Sequence, residues 1–155
     1  MIENYSSERD PLSNVHEFGL ISLLYVSRSS LSLEGDYKAV GDIVQTALAR
    51  NAALRISGAL IYTELHFAQV LEGPESAVGE LMTSIVKDAR HSDVTVVARR
   101  PVARRRFGSW TMAYNGPSAF LDRHVKPLVA SRTAPRDADK LVEQLLSNIQ
   151  RLYDL

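Results

Sequence analysis

Apolar residues in this chain switch between two spacings in a fixed succession, and few folds accept that succession. Gly19–Ser27 (GLISLLYVS) is a short, β-compatible apolar run and reads as a strand. Over Asp36–Asn51 the spacing lengthens, and Val40, Ile43, Val44, Ala47 and Leu48 fall on one helical face. Asn51 is a residue type that can end such a helix in the left-handed conformation. Ile56–Tyr62 (ISGALIY) and Phe67–Leu71 (FAQVL) return to strand character, and the Thr63–His66 link between them predicts a hairpin. Glu72-Gly73-Pro74 breaks the pattern, and Pro74 suits the first turn of a following helix. In that helix Val78, Leu81, Met82, Ile85 and Val86 share a face. Val94–Arg100 and Phe107–Tyr114 read as two further strands.

The succession is βαββαβ plus one strand, so the expected class is α+β. The expected architecture is ferredoxin-like, a five-stranded mixed sheet with two helices on one face. Two helices leave the other face of the sheet bare. The remaining chain is helical, with a weaker segment over Phe120–Ser131, interrupted by Pro127, and a stronger one over Asp137–Leu155. Leu141, Val142, Leu145, Leu146, Ile149, Leu152 and Tyr153 form a wide stripe on the latter, suited to covering that bare face. Val142, Leu145, Ile149 and Leu152 also fit a short coiled-coil seam. The expected organisation is therefore an extension over 1–18, a core domain over 19–115 and a helical segment over 116–155.

Composition narrows the function classes. A chain of 155 residues with 45% hydrophobic content can bury one sizeable core, which is the size of one domain. Eighteen basic residues balance eighteen acidic ones, which argues against bulk phosphate attraction as the organising principle. The absence of cysteine excludes disulfide scaffolds, thiol catalysis and Cys-ligated metals. The four histidines, at 16, 66, 91 and 124, lack metal-ligand spacing, so no metal is expected. There is no glycine-rich phosphate loop and no nucleophile elbow. The N-terminus lacks the apolar run of a secretory signal, and nothing approaches the roughly 20 apolar residues that span a bilayer. A cytoplasmic protein without membrane contact is the expectation.

The departures from a plain core carry more information. Successive strand residues alternate faces, so Leu23, Tyr25 and Ser27 share one face, as do Phe67, Gln69 and Leu71. A glutamine amide between Phe67 and Leu71 is a buried polar group, and leaving it unpaired would cost roughly 1–3 kcal/mol. It needs partners. The plain explanation is a structural glutamine bonded to Tyr25, with Trp110 and Met112, which also share a strand face, as ordinary core. On that explanation Arg90 and His91 are cations suited to the negative end of the second helix.

Six pieces in order give a sharper explanation: LLYVS, the ARN closing the first helix, ISGALIY, FAQVLEG, KDARHSDV and RRRFGSWTMAY. From about Leu20 to Tyr114 the chain resembles the BLUF family, the blue-light sensor domains that use flavin. The resemblance implies a noncovalent flavin, usually FAD with FMN or riboflavin sharing its ring, held between the two helices. It implies Ile43 and Ile85 on either side of the ring and Asn51 on its carbonyl and imide edge. It further implies Asp88, Arg90 and His91 near the pyrimidine edge, ribityl chain and phosphates. Tyr25 and Gln69 would be the photoactive pair, with Ser27 close by and Trp110 or Met112 competing for the place beside Gln69. In the family, excited flavin draws an electron and a proton from the tyrosine, and recombination leaves the glutamine rearranged, without turnover of any substrate.

The sequence departs from the family pattern at Arg50, where a histidine or asparagine is common, so its flavin contact is open. Ser84 stands where some members place a basic residue, and the TELH link lacks a common glycine. A different class of function, an RNA-binding or protein-interaction module without photochemistry, rests on Arg99, Arg100 and Arg104–Arg106. The run RRFGSW there faintly resembles an RNA-recognition signature, but it sits on the wrong strand for one. With the flavin reading, the expected partners are the flavin, further copies of this chain and a separate downstream protein, and not nucleic acid. Light is expected to repack the last strand and the C-terminal helices.

Overall fold

In the computed structural model, which describes residues 19–31, 37–108, 113–115, 119–129 and 135–153, the two spacings become a sheet and its covering helices. The elements are β1 (Leu20–Ser29), α1 (Tyr37–Ala53), β2 (Ser57–Tyr62), β3 (His66–Pro74), α2 (Glu75–Val86) and β4 (His91–Pro101). After them come β5 (Ala113–Asn115), α3 (Ala119–Val125), a 3-10 turn (Lys126–Leu128) and α4 (Pro135–Tyr153). Strands β4, β1, β3 and β2 lie side by side and antiparallel. The three-residue β5 runs parallel along the outer edge of β2, with Ala59 opposite Ala113 and Ile61 opposite Asn115. The class is α+β, as expected.

Alternation along β1 sorts the core into two faces. Ile21, Leu23 and Tyr25 pack with Leu71, Val78 and Leu81 under α2, and Leu60, Tyr62 and Phe67 pack with Val44 under α1. Leu24 and Val26 point the other way, into a cluster with Ala59, Ile61, Ala68, Val70, Phe107, Val125, Leu128, Val142 and Leu146. Val142 and Leu146 are the described part of the α4 stripe; the side chains of Leu141, Leu145, Ile149, Leu152 and Tyr153 lie outside the described set.

Several expected boundaries move, each for a local reason. Helix α1 does not stop at Asn51. It runs on through Ala52 and Ala53, and the left-handed residue is Arg55, with φ 58°. The Arg55 N–H bonds Ala52 O at 3.2 Å and the Ile56 N–H bonds Asn51 O at 2.8 Å, the paired closure usually built on glycine. Val86, expected on the buried face of α2, is 60% exposed at the helix end. The expected 120–131 helix breaks before Pro127, which removes a backbone donor and disfavours helix in the residue before it.

Strand β3 continues through Glu72 instead of stopping at Leu71. Glu72 is 1% exposed, and its carboxylate accepts from the backbone N–H groups of Arg106 at 2.8 Å and Phe107 at 2.9 Å. Those bonds hold Phe107 in a buried turn, so the expected strand does not begin there, and its described part is Ala113–Asn115. The intervening residues, Trp110 and Met112 among them, lie outside the described residues. Burial pushes the Glu72 carboxyl above its usual range, while the two N–H donors and the Arg105 and Arg106 charges pull against it.

Close strand approach explains ISGALIY: a Cβ on Gly58 would lie 2.0 Å from the Val70 carbonyl oxygen. At the hairpin turn the His66 Nδ1–H donates to Asp122 Oδ1 at 2.7 Å, and the Thr63 hydroxyl donates to the same oxygen at 2.6 Å. This bond pair fastens α3 to the β2–β3 turn. Asp122→Ala leaves the His66 ring donor unmatched, while the Thr63 hydroxyl keeps the His66 carbonyl at 3.2 Å. It is expected to lower stability by about 1–3 kcal/mol in urea unfolding, with Asp122→Asn losing less.

Candidate functional site

Between α1 and α2, over the pocket-side face of the sheet, lies a cavity partly open to solvent. Helical spacing supplies its walls: Ile43, Thr46, Ala47 and Arg50 follow one another at i, i+3, i+4 and i+7 on α1, and Leu81 and Ile85 at i, i+4 on α2. Tyr25, Leu60, Phe67 and Gln69 form the sheet side, and Asn51, Asp88, Arg90 and His91 complete the lining.

The floor is set by strand register. Tyr25 on β1 lies directly opposite Gln69 on β3, and Leu60 on β2 lies opposite Gln69 from the other side. Direct opposition brings side chains on one face within reach of each other. The Tyr25 hydroxyl donates to Gln69 Oε1 in a short hydrogen bond. Both residues are buried, with Tyr25 4% and Gln69 6% exposed. Burial, and after it the charge of Asp88, raises the phenol well above its ordinary value, so Tyr25 holds its proton throughout the physiological range.

At the open end the α2–β4 connection turns back on itself. Arg90 Nε bonds both Asp88 oxygens, at 2.9 and 3.1 Å, and the Arg90 backbone N–H bonds Asp88 Oδ1 at 3.0 Å. The hydrogen bond from the Arg90 side chain holds the Asp88 carboxyl down at about 2. His91, the first residue of β4, accepts or shares a proton with Ser27 Oγ at 2.8 Å and donates from Nε2 to the Ile85 carbonyl at 2.6 Å.

Of the residues singled out from sequence, Tyr25, Ile43, Arg50, Asn51, Gln69, Ile85, Asp88, Arg90 and His91 all line this cavity. Ser27 is fully buried and adjoins it through His91, without being a lining residue. Ser84 is exposed on α2, away from the lining. Sequence reasoning passed over Thr46, Ala47, Leu60, Phe67 and Leu81 as lining residues, although helical spacing from Ile43 and Ile85 and strand parity with Gln69 mark them. Phe107, an aromatic of the RRFGSW run, is 1% exposed and offers no face for base stacking. Arg105 is spent on the Ser57 hydroxyl and the carbonyls of Glu72 and Arg55, at 3.0, 2.8 and 2.7 Å.

The donor set fits a flavin. Isoleucine, leucine and alanine side chains suit the two faces of a flat heterocycle. The amides of Asn51 and Gln69 each carry donor and acceptor atoms, as an edge with both carbonyl and imide groups requires. Arg50 and Arg90 bring positive charge to the lining, suited to a phosphorylated tail. Among the described residues no cluster of His, Asp and Glu could hold a metal ion, and no helix is long and apolar enough to cross a membrane.

Comparison with known proteins agrees with the chemistry. The family model described as BLUF, sensors of blue-light using FAD, matches residues 20–113. The chain is 38% identical over 95 residues to photoactivated adenylate cyclase subunit beta of Euglena longa, covering 60% of this chain and 11% of that protein. It is 33% identical over 89 residues to the blue light- and temperature-regulated antirepressor BluF of Escherichia coli (strain K12), covering 57% of this chain and 22% of that one. The chain thus spans only a small part of these curated relatives. The solved dark-state structure of the BLUF protein BlrB shares 28% identity with a TM-score of 0.66, over 84% of this chain and 96% of BlrB. The BLUF domain of BlrP1 shares 28% identity with a TM-score of 0.62, over 86% of this chain and 91% of that domain. With the matched residues spanning well over half its length and carrying a pocket of the right chemistry, the chain belongs to the BLUF family and is a flavin-based blue-light photoreceptor.

Proposed function

We propose that Tyr25 and Gln69 are the light-responsive pair, and that the C-terminal segment carries the response out of the domain. The observation that supports this most is the buried bond from the Tyr25 hydroxyl to Gln69 Oε1 in the cavity floor. Bound flavin supplies the blue absorption and, once excited, an oxidant. Tyr25 is the donor: a buried phenol holds its proton securely in the dark but yields it readily once it has lost an electron. That proton leaves Oη along the existing bond toward Gln69. While the hydroxyl has ceased to donate, the Gln69 amide changes what it presents, by rotation or tautomerisation of its planar end group. The electron and proton then return to Tyr25, leaving the amide rearranged beside a neutral phenol. Ile43 and Ile85 flank the ring, Asn51 meets its polar edge, and Arg50, Asp88 and Arg90 serve the tail. FAD is the expected ligand, with FMN and riboflavin as looser fits that lack part of the tail.

On this reading residues 19–115, including the short β5, act as one five-stranded sensory unit, 1–18 as an extension and 116–155 as the output segment. The domain turns over no substrate. Its signal passes through contacts with further copies or with a separate protein. Trp110 and Met112 belong to the segment joining the sensor to that output.

Blue light is expected to shift the flavin absorption of the purified protein to the red, with return in darkness. Tyr25→Phe and Gln69→Leu are expected to retain flavin and to lose the reversible shift. A normal shift in either variant contradicts the assignment. A second outcome follows from Asp88, whose carboxyl is held at about 2 against an ordinary 3.8. A lowered folded-state value stabilises above the ordinary value and ceases to do so as pH falls through the folded one. The stability difference between the parent and Asp88→Asn is therefore expected to be constant above pH ~4 and to close on descent to pH ~2. Urea unfolding across that range checks it.

A further inference from the structure

His91 lines the cavity, yet both of its ring nitrogens are already engaged within the protein. The Ile85 carbonyl can only accept, so the Nε2 atom 2.6 Å from it carries a proton. In the neutral ring Nδ1 is then an acceptor, and the Ser27 hydroxyl, 2.8 Å away, donates to it. Ser27 is fully buried on β1, two residues after Tyr25 and on the same face. Ile85 is the pocket wall on α2, and its carbonyl, at the helix end, also accepts the Asp88 backbone N–H at 3.1 Å. One imidazole thus joins the strand that carries Tyr25 to the helix that carries Ile85.

The ring also stands edge-on to two aromatics. Its centroid is 6.1 Å from that of Tyr25, at 76° between planes, and 6.1 Å from that of Phe67, at 83°. These are the T-shaped contacts that aromatic rings favour. Tyr25 is therefore held at its hydroxyl by Gln69 and along its ring by His91, and Phe67 is held on the same strand as Gln69.

We propose that His91 is a positioning residue for the Tyr25–Gln69 pair, held by Ser27 and the Ile85 carbonyl, and does not bind the flavin through its ring nitrogens. The proposal rests on the reading of Tyr25 and Gln69 as the light-responsive pair. It makes Ser27 part of the same device: without its hydroxyl the imidazole loses its hold on β1, and the tyrosine ring loses a fixed neighbour. A small displacement of a reacting group is enough to change a rate by about a hundredfold.

The test compares Ser27→Ala, Ser27→Thr and His91→Phe with the parent, each titrated with FAD and each assayed for photoshift yield and dark-recovery rate. The expected result for Ser27→Ala is an FAD affinity within about threefold of the parent. The photoshift yield or recovery rate of Ser27→Ala and of His91→Phe is expected to change by about tenfold or more. Ser27→Thr, which keeps the hydroxyl, is expected to restore parent behaviour. An affinity loss of about tenfold in Ser27→Ala overturns the proposal, as does a parent-like photoshift in both variants. If His91→Phe does not fold, Ser27→Ala alone decides, because its changed atom lies outside the cavity lining. Failure of the underlying reading looks different: Tyr25→Phe would then keep its photoshift whatever the Ser27 variants do.

Discussion

An amide buried in the middle of a sheet needs partners, and meeting that need for Gln69 organises the pocket side of this protein. Its strand, β3, is paired on both flanks, so its backbone groups are committed to β1 and β2 and cannot serve the side chain. Tyr25 serves it instead, because register places the two residues directly opposite each other. Tyr25 is in turn steadied by His91, which is tied to Ser27 and to the end of α2. The cavity opens where this polar row meets the apolar faces of the two helices.

The same strand has a second face, and alternation makes the two inseparable. Phe67, Gln69 and Leu71 point to the pocket side, while Ala68 and Val70 pack with Val125, Leu128, Val142 and Leu146 of the C-terminal segment. Polar anchors sit at both ends of that second face. His66 is bonded to Asp122 of α3, and Glu72 holds the backbone of the turn at Arg106 and Phe107. On the proposed reading, a change in what Gln69 offers its neighbours would act on a strand whose other side packs against the C-terminal segment. This gives the proposed signalling route a second physical path beside the expected one through Trp110 and Met112. It depends on a strand with two committed faces, and not on a continuous chain of side-chain bonds.

The sequence made the pocket more legible than the edges of the elements. Ile43, Ile85 and Gln69 announced themselves because helical spacing and strand parity are periodic, and one polar residue in an apolar run stands out. The end of α1 was misplaced because Asn51 has the chemistry of a terminator, whereas its side chain is used in the pocket and Arg55 takes the left-handed conformation. Glu72 looked like a strand breaker for a related reason. A carboxylate is buried only when distant donors meet it, and here the donors lie on the turn that follows β4, 34 and 35 residues further along the chain. Contacts of that kind, like the His66–Asp122 bond, leave no local signature. The partners of Arg105 in the basic cluster were hidden in the same way, since it faces carbonyls that only the folded sheet brings together.

The central claim is that light changes the hydrogen bonding of the Gln69 amide. Light-minus-dark infrared difference spectra of the FAD-loaded protein, recorded with and without isotopically labelled glutamine, test it most directly. The account predicts amide bands that move on labelling and that vanish in Gln69→Leu, because the other glutamines, Gln45, Gln144 and Gln150, lie outside the cavity lining. A difference spectrum indifferent to the glutamine label, in a protein whose flavin absorption still shifts under blue light, would contradict it.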